Sequence, residues 1–552
     1  MSSIRTLTRL ICRSETSGIR AIKGSGRCAL PADELAFVLE YPDNPDLDAA
    51  RRKLVGILDA LDFVLEPLFP RSADDLAHFV VLRFPGVDTG RASDALFAIA
   101  YELAEKLELV SCEPCIGEHI MTVPEPHQDD RTATAERSSI NAMHCSAPAD
   151  KRWALVNTRV VGAWRLSPDL GKGILIAQPD TGVAKHHEIE SESLRLDLAT
   201  DILVGDDDPT DPLDPETASP GHGSGTASVV VGRSTGEISG AAPGAQLVPI
   251  RCIPDVKVVN PAPVARAVNH ARVSGCHIIS MSLGGLGSAA LRNAIHRAVE
   301  ANLIVVAAAG NCIGLTVYPA RYPDVIAVAG TNINDRGWQG SCVGRAVDFS
   351  APAEMVWRAK HDMTTGGKPI VAGGQGTSYS AALTSGIAAL WLGRHGRDNL
   401  IAEAHSRQTT VQELFRAAAR CTARVPAGWN SSRLGAGIID AEALLRLCPS
   451  EIPIISEITQ IPNSGLSEVQ RLVFEATHKK PESRNFDWMR YEAEIANLAL
   501  RLAHIRSRGN GQYMSGARRR FAVSESLRRA VEASGDPALR DLTLSFEAGL
   551  RE

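Results

Sequence analysis

The sequence predicts an α/β protein with a mainly parallel central sheet and flanking helices. A smaller α+β unit precedes the sheet, and a helical region follows it. Three observations predict this. A strand–helix–strand pattern occurs twice in the first 117 residues, and five short apolar runs alternate with helical stretches between residues 174 and 328. After about residue 450 the chain turns polar, with apolar residues at 3–4 spacing. A chain of 552 residues is too long for one core and suggests roughly two to four domains.

The first 30 residues read as a tail. Arginines interrupt Met1–Leu10, where a secretory leader would need a continuous apolar stretch. Eleven cysteines, an odd and sparse number, do not make a disulfide scaffold. No apolar run approaches about 18 residues, so no membrane span is expected. A net charge of −6 gives no bulk attraction to nucleic acid or acidic membranes. The expected location is cytoplasmic.

Residues 31–117 carry the repeat. Phe37–Pro42 is echoed by Val80–Pro85, and proline stops each strand-like run. Helical stretches follow at Leu47–Leu61 and Ala92–Leu107, each leading to a short segment, Leu65–Leu68 or Cys112–Cys115. The order βαβ–βαβ fits a ferredoxin-like sheet with helices on one face. Cys112 and Cys115 stand where the other copy has leucines. The pair therefore reads as small buried hydrophobes rather than a metal or redox C-x-x-C motif.

Residues 118–150 are polar and aperiodic and read as a linker. The α/β part spans 151–450. Its strand candidates are Ile174–Ala177, Leu247–Ile250, His277–Ser282, Leu303–Ala307 and Asp324–Val328, with helices near 261–274 and 288–301. Strands this apolar are covered on both faces, which implies a parallel sheet. In the extension, 451–552, Ile495, Leu498, Leu502 and Ile505 form one helical stripe. Twelve Lys and Arg residues between Lys479 and Arg529 read as a solvated face, with docking of an acidic partner as the alternative.

Three segments in the α/β part need a joint explanation. Gln178-Pro179-Asp180-Thr181-Gly182 ends a strand in a carboxylate, at the sheet edge where open α/β folds place their sites. Gly221-His222-Gly223-Ser224-Gly225 puts a histidine on a glycine-flanked turn entering a helix. Gly376-Thr377-Ser378-Tyr379-Ser380 does the same for a serine. A Ser hydroxyl becomes a nucleophile when an imidazole takes its proton, and a carboxylate holds the imidazole in the right tautomer. The three types occur in the order Asp, His, Ser, 42 and 156 residues apart.

Over about 153–447 the chain resembles the subtilisin-like serine proteases (subtilases, peptidase S8 family), whose triad runs in that order. The resemblance implies a subtilisin-like fold and a serine endopeptidase. Asp180 would be the orienting carboxylate, His222 the general base and acid, and Ser378 the nucleophile. Asn311, ending Ala307-Ala308-Ala309-Gly310-Asn311, resembles the oxyanion-hole amide. Ser282, Leu283 and Gly284 resemble the strand that pairs with substrate backbone, which implies an extended polypeptide substrate. Ala309, Gly310 and Val317 complete the expected substrate pocket, and Val317 at its floor implies small or medium apolar P1 residues. Gly240–Ala245, Tyr318–Pro323 and Gly435–Ala441 add agreement.

The chain also departs from the family. Ala382 stands where the family usually has proline, in what is expected to be the first helical turn. Pro179 removes a hydrogen-bond donor from a central strand. The family's calcium loop is not recognisable in Arg233–Ile238. No cofactor or metal is therefore expected, although the acidic loop of Asp206, Asp207, Asp208, Asp211 and Asp214 could offer oxygens to a hard cation. The resemblance further implies that 31–117 is an inhibitory prodomain. Two alternatives are a latent protease activated by a protein partner at 31–117 or 451–552, and a catalytically dead binding module.

Overall fold

Alternation shapes the first unit. In the computed structural model, strands β1 (Glu34–Glu40), β2 (Val64–Pro67), β3 (Phe79–Asp88) and β4 (Ser111–Cys115) form an antiparallel sheet in the order β2-β3-β1-β4. Helices α1 (Leu47–Leu58) and α2 (Leu96–Leu107) follow β1 and β3, which is the predicted βαβ–βαβ order. The structure describes residue 30 and residues 34–58, 62–70, 74–88, 95–116, 148–453, 466–507 and 523–547. Most of the tail at 1–30 and of the linker at 118–150 lie outside these residues.

Period-two sequence gives this sheet two apolar faces. Leu35, Phe37, Leu39, Val80, Leu82 and Phe84 pack with the unit's own helices. Ala36, Val38, Phe79 and Val81 belong to a second core shared with the rest of the molecule. Cys112 and Cys115 are buried on these opposite faces as single thiols, as read from the repeat. Burial pushes the Cys115 thiol up to about 12.

The central sheet has seven strands, all paired in parallel. They are β5 (Leu175–Asp180), β6 (Thr200–Asp201), β7 (Gln246–Arg251), β9 (Ile278–Met281), β11 (Ile304–Ala308), β12 (Ile326–Thr331) and β13 (Phe349–Pro352). Their order is β13-β12-β11-β9-β5-β7-β6. The winding reverses at β5, so the edge beyond Asp180 is a topological switch point. The crossovers include α3 (His222–Val231), α4 (Ala262–Val273) and α5 (Ala289–Glu300).

Pro179 is accommodated by the end of a pairing. Asp180 O accepts from Cys252 N, so Asp180 faces β7 and Pro179 faces the β9 side. Pairing with β9 covers only Ile176 and Ala177, so the missing N–H has no ladder to serve.

Two short strands, β8 (Lys257–Val258) and β10 (Gly284–Gly285), pair in parallel, and a hairpin joins β14 (Val356–Asp362) to β15 (Lys368–Gly374). Helix α6 (Thr377–His395) is buried on every side from Thr377 to Leu392, which explains its run of Ala, Ser and Gly. Ala382 is its sixth residue. It lies in the second turn, not the first, where the helix itself pairs the N–H.

Beyond residue 453 the described residues form four α-helices: α7 (Glu468–Thr477), α8 (Trp488–Ser507), α9 (Glu525–Ser534) and α10 (Pro537–Glu547). A Ser467–Gln470 capping box starts α7, and Ser524 caps α9. Ile495, Leu498 and Leu502 are buried as the stripe predicts, but Ile505 is 52% exposed. These helices share one core with α4, α5 and the open face of the N-terminal sheet. No described helix is long and apolar enough to cross a membrane.

Candidate active site

Each predicted triad residue sits where a regular element meets the switch-point edge. Asp180 is the last residue of β5, His222 the first of α3, and Ser378 the second of α6. Helices α3 and α6 pack against each other. Asp180 is buried, and its Oδ1 lies 2.8 Å from His222 Nδ1. A carboxylate only accepts, so Nδ1 carries a proton, and in the neutral imidazole Nε2 keeps a free lone pair. Thr181 N donates to the same Oδ1 at 2.7 Å, and the Thr226 hydroxyl lies 3.1 Å from Oδ2. Both carboxylate oxygens are therefore fixed. His222 Nε2 makes no hydrogen bond to any described residue.

Ser378 does not point at that nitrogen. Its hydroxyl donates to Ser282 O at 3.1 Å, while Ser282 Oγ donates to Ser378 O at 2.8 Å. The reciprocal pair ties the start of α6 to the end of β9. Rotation about the Ser378 Cα–Cβ bond is needed to bring Oγ to the imidazole, a change common in sites without substrate.

Asn311 is oriented by Thr377. Its Oδ1 accepts from Thr377 N at 3.0 Å and from Thr377 Oγ1 at 2.9 Å, so Nδ2 is left to face outward. Gly310 N in turn donates to Thr377 Oγ1 at 3.1 Å. A Cβ placed on Gly376 (φ +149°) would sit 3.3 Å from Asn311 Nδ2 and 3.8 Å from both Ser378 N and Ser378 Oγ. Those three groups thus converge on one small space, kept open by the missing side chain. Two N–H donors beside a hydroxyl suit a carbonyl oxygen that gains charge under attack.

The expected pocket residues divide. Gly284, Gly310 and Val317 come together: a Cβ on Gly284 would lie 2.5 Å, and one on Gly310 2.8 Å, from Val317 Cγ2. Val317 fills the space between the two backbones. Ala309 is buried, and its carbonyl accepts from Val317 N at 3.0 Å. Leu283 sends its side chain into the core and offers a ligand only its backbone.

The acidic loop does not gather its carboxylates. Asp206, Asp208 and Asp214 each accept from N–H groups two residues on, and Asp211 is buried against Thr181 and Gly221. At Arg233–Ile238, the buried Glu188 accepts from Glu237 N at 3.0 Å and Ile238 N at 3.4 Å. His187, Glu188 and Glu237 bring their donor atoms within 4.8 Å of one another, but the Lys151 ammonium is bonded to Glu237. Backbone N–H groups and an ammonium occupy the acceptor oxygens, so this set does not fit a calcium ion, which takes six to eight oxygens.

Thr226 and Thr377 were not singled out as site residues by sequence, and Asp211 was read only as one oxygen source of the acidic loop. The hydroxyl next to Ser378 was the available signal for Thr377.

Residues 171–437 match the model of the Peptidase_S8 subtilase family. Thermitase of Thermoactinomyces vulgaris is 34% identical over 241 residues, covering 43% of this chain and 79% of thermitase. The thermostable alkaline protease of Halalkalibacterium halodurans is 31% identical over 229 residues, covering 41% of this chain and 58% of that protein. A solved protease of Pseudoalteromonas arctica superposes with a TM-score of 0.46 at 24% identity, covering 55% of this chain and 99% of that one. The chain belongs to the subtilase family of serine endopeptidases.

Proposed function

We propose that Ser378 is the nucleophile, His222 the general base and then acid, and Asp180 the group that orients the imidazole. His222 Nε2 takes the Ser378 proton as Oγ bonds to the scissile carbonyl carbon. The carbonyl electron pair moves to oxygen, where Asn311 Nδ2 and Ser378 N donate to it. Collapse expels the amine, which leaves with the proton held on Nε2. Water then repeats the sequence on the acyl-enzyme. The observation that carries this reading is the 2.8 Å Asp180–His222 bond beside the space shared by Asn311 Nδ2 and Ser378. A polypeptide substrate would extend along Ser282–Gly284, with its P1 side chain above Val317.

The N-terminal unit is proposed to inhibit the enzyme in the same chain. Its open sheet face packs on α4 and α5, Arg266 Nε donates to Leu68 O at 2.8 Å, and Arg272 pairs with Asp75 at 3.3 Å. Glu113 of β4 accepts from Ala289 N with both oxygens, at 3.0 and 3.2 Å, where the start of α5 carries positive partial charge. A cytoplasmic location and the absence of a metal cofactor complete the reading.

The second reading, a latent enzyme opened by a protein partner, draws support from the C-terminal helices, which pack on both other parts. Intact masses of the purified wild-type chain and of Ser378→Ala test the two. A shortened wild type beside a full-length variant supports self-processing. Two full-length chains favour the partner-gated enzyme. Fluorophosphonate labelling that disappears in Ser378→Ala excludes a dead binding module.

A further inference from the structure

The loop before His222 carries a buried carboxylate with a different task from its neighbours. Asp211 is 4% exposed. Its Oδ2 accepts from the Thr181 hydroxyl at 2.6 Å and from Gly221 N at 3.0 Å, and its Oδ1 accepts from Leu213 N at 2.8 Å. Thr181 directly follows Asp180, and Gly221 directly precedes His222. Thr181 Oγ1 also accepts from Gly223 N at 3.0 Å, so both neighbours of His222 are joined to the residue beside Asp180. The backbone is seated as well, because Val183 N donates to Pro209 O at 3.0 Å. A side chain on Gly182 would collide with Pro209 O and Asp211 N.

Proton accounting makes the arrangement directional. A threonine hydroxyl has one proton. Gly223 N–H must donate to Thr181 Oγ1, so the hydroxyl proton goes outward, to Asp211. Every group facing Asp211 in this set is a donor: one hydroxyl and two backbone N–H groups. An amide in its place would turn an NH₂ toward either the Thr181 and Gly221 donors or the Leu213 donor. Either rotamer opposes at least one donor.

We infer that Asp211 is a positioning residue for catalysis, setting the separation and angle between the Asp180 carboxylate and the His222 imidazole by holding Thr181 and Gly221 on one oxygen. The inference rests on the triad proposed above. Asp211 touches neither substrate nor the reacting atoms. It acts through the backbone on both sides of the Asp–His bond, where a shift of about 1 Å can cost 10²-fold in rate.

The test measures kcat and KM on a peptide substrate for wild type, Asp211→Asn, Thr181→Val, Thr181→Ser and the double variant Asp211→Asn/Thr181→Val. Ser378→Ala is the control, and folding is checked by near-UV circular dichroism. In Asp211→Asn we expect kcat to fall about 10- to 100-fold, with KM within about two-fold. Thr181→Val should fall in the same way. Thr181→Ser, which keeps the hydroxyl, should restore the kcat that Thr181→Val loses. The double variant should lose no more than the worse single, because both remove one relay. If Asp211→Asn proves unfolded, the Thr181 pair decides alone. A folded Thr181→Val or Asp211→Asn with wild-type kcat, while Ser378→Ala is inactive, would overturn this inference and leave the triad standing. Activity that survives Ser378→Ala would overturn both.

Discussion

Tyr101 on the N-terminal unit donates its hydroxyl to Glu494 Oε2 on α8 at 2.8 Å, in a fully buried contact between residues 393 positions apart. Glu494 also accepts from Ser524 N at 2.7 Å and Ser524 Oγ at 2.8 Å, and Tyr101 packs edge-on against Tyr491 with ring centroids 5.1 Å apart. Three segments distant in sequence therefore meet at one carboxylate, whose pKa is raised by burial. Tyr101→Phe keeps the ring and removes one donor from a buried acceptor. It should cost about 1–3 kcal/mol, seen as a lower melting temperature in a Ser378→Ala background that prevents self-digestion. An unchanged melting temperature would show that the contact does not hold the unit in place.

A pH dependence follows from Glu113 at the other end of that interface. Lost hydration pushes its pKa up to about 8, against the pull of the Ala289 N–H; Glu492 and Glu40 reinforce the rise and Arg292 opposes it. A carboxyl with a raised folded-state pKa binds its proton more tightly when folded. Its stabilising contribution is full below about pH 4.5 and is lost as pH rises through about 8. Melting temperatures between pH 5 and 9 should fall more steeply for wild type than for Glu113→Gln. Parallel curves would count against this.

Pocket size should follow Val317. Its Cγ2 stands beneath both Gly284 and Gly310, and Val317→Ala deepens the pocket without touching the triad. The ratio of kcat/KM for Leu or Phe over Ala at P1 should rise about ten-fold, the scale of one or two methylene-sized contacts. A peptide series differing only at P1 measures it, and an unchanged ratio would remove Val317 from the floor.

Glu188 should do by hydrogen bonding what a cation would do at that loop. A chelator is expected to leave the melting temperature of Ser378→Ala unchanged. Glu188→Gln, which turns an NH₂ toward Glu237 N or Ile238 N, should lower stability by about 1–3 kcal/mol. A chelator-induced drop restored by calcium would reverse this view.

Most of the site was legible because its chemistry needs particular residue types at the ends of strands and helices. Asp180, His222, Ser378 and Asn311 lie in short glycine-flanked segments whose local sequence sets both element and turn. The N-terminal unit was legible because alternation is local too, although β3 runs on through Pro85, where the sequence predicts a stop, to Asp88. Asp211 was not, since its partners come from three segments and an acidic loop looks alike whether solvated or buried. Ile505 was misjudged for a related reason: periodicity gives the face of a helix but not which of its residues a neighbour covers. Packing of the C-terminal helices onto the first unit involves residues hundreds of positions apart, and no periodicity within either segment encodes it.

The three-part core also has a consequence in time. A ribosome adding about 5–20 residues per second makes Tyr101 roughly 20–80 s before the Glu494 that accepts its hydrogen bond. Through that interval Phe97 and Tyr101, which in the finished molecule lie in the shared core, have no α8 to cover them. The nascent N-terminal unit thus carries an open aromatic patch throughout synthesis of the catalytic part, and a segment translated after that part closes it.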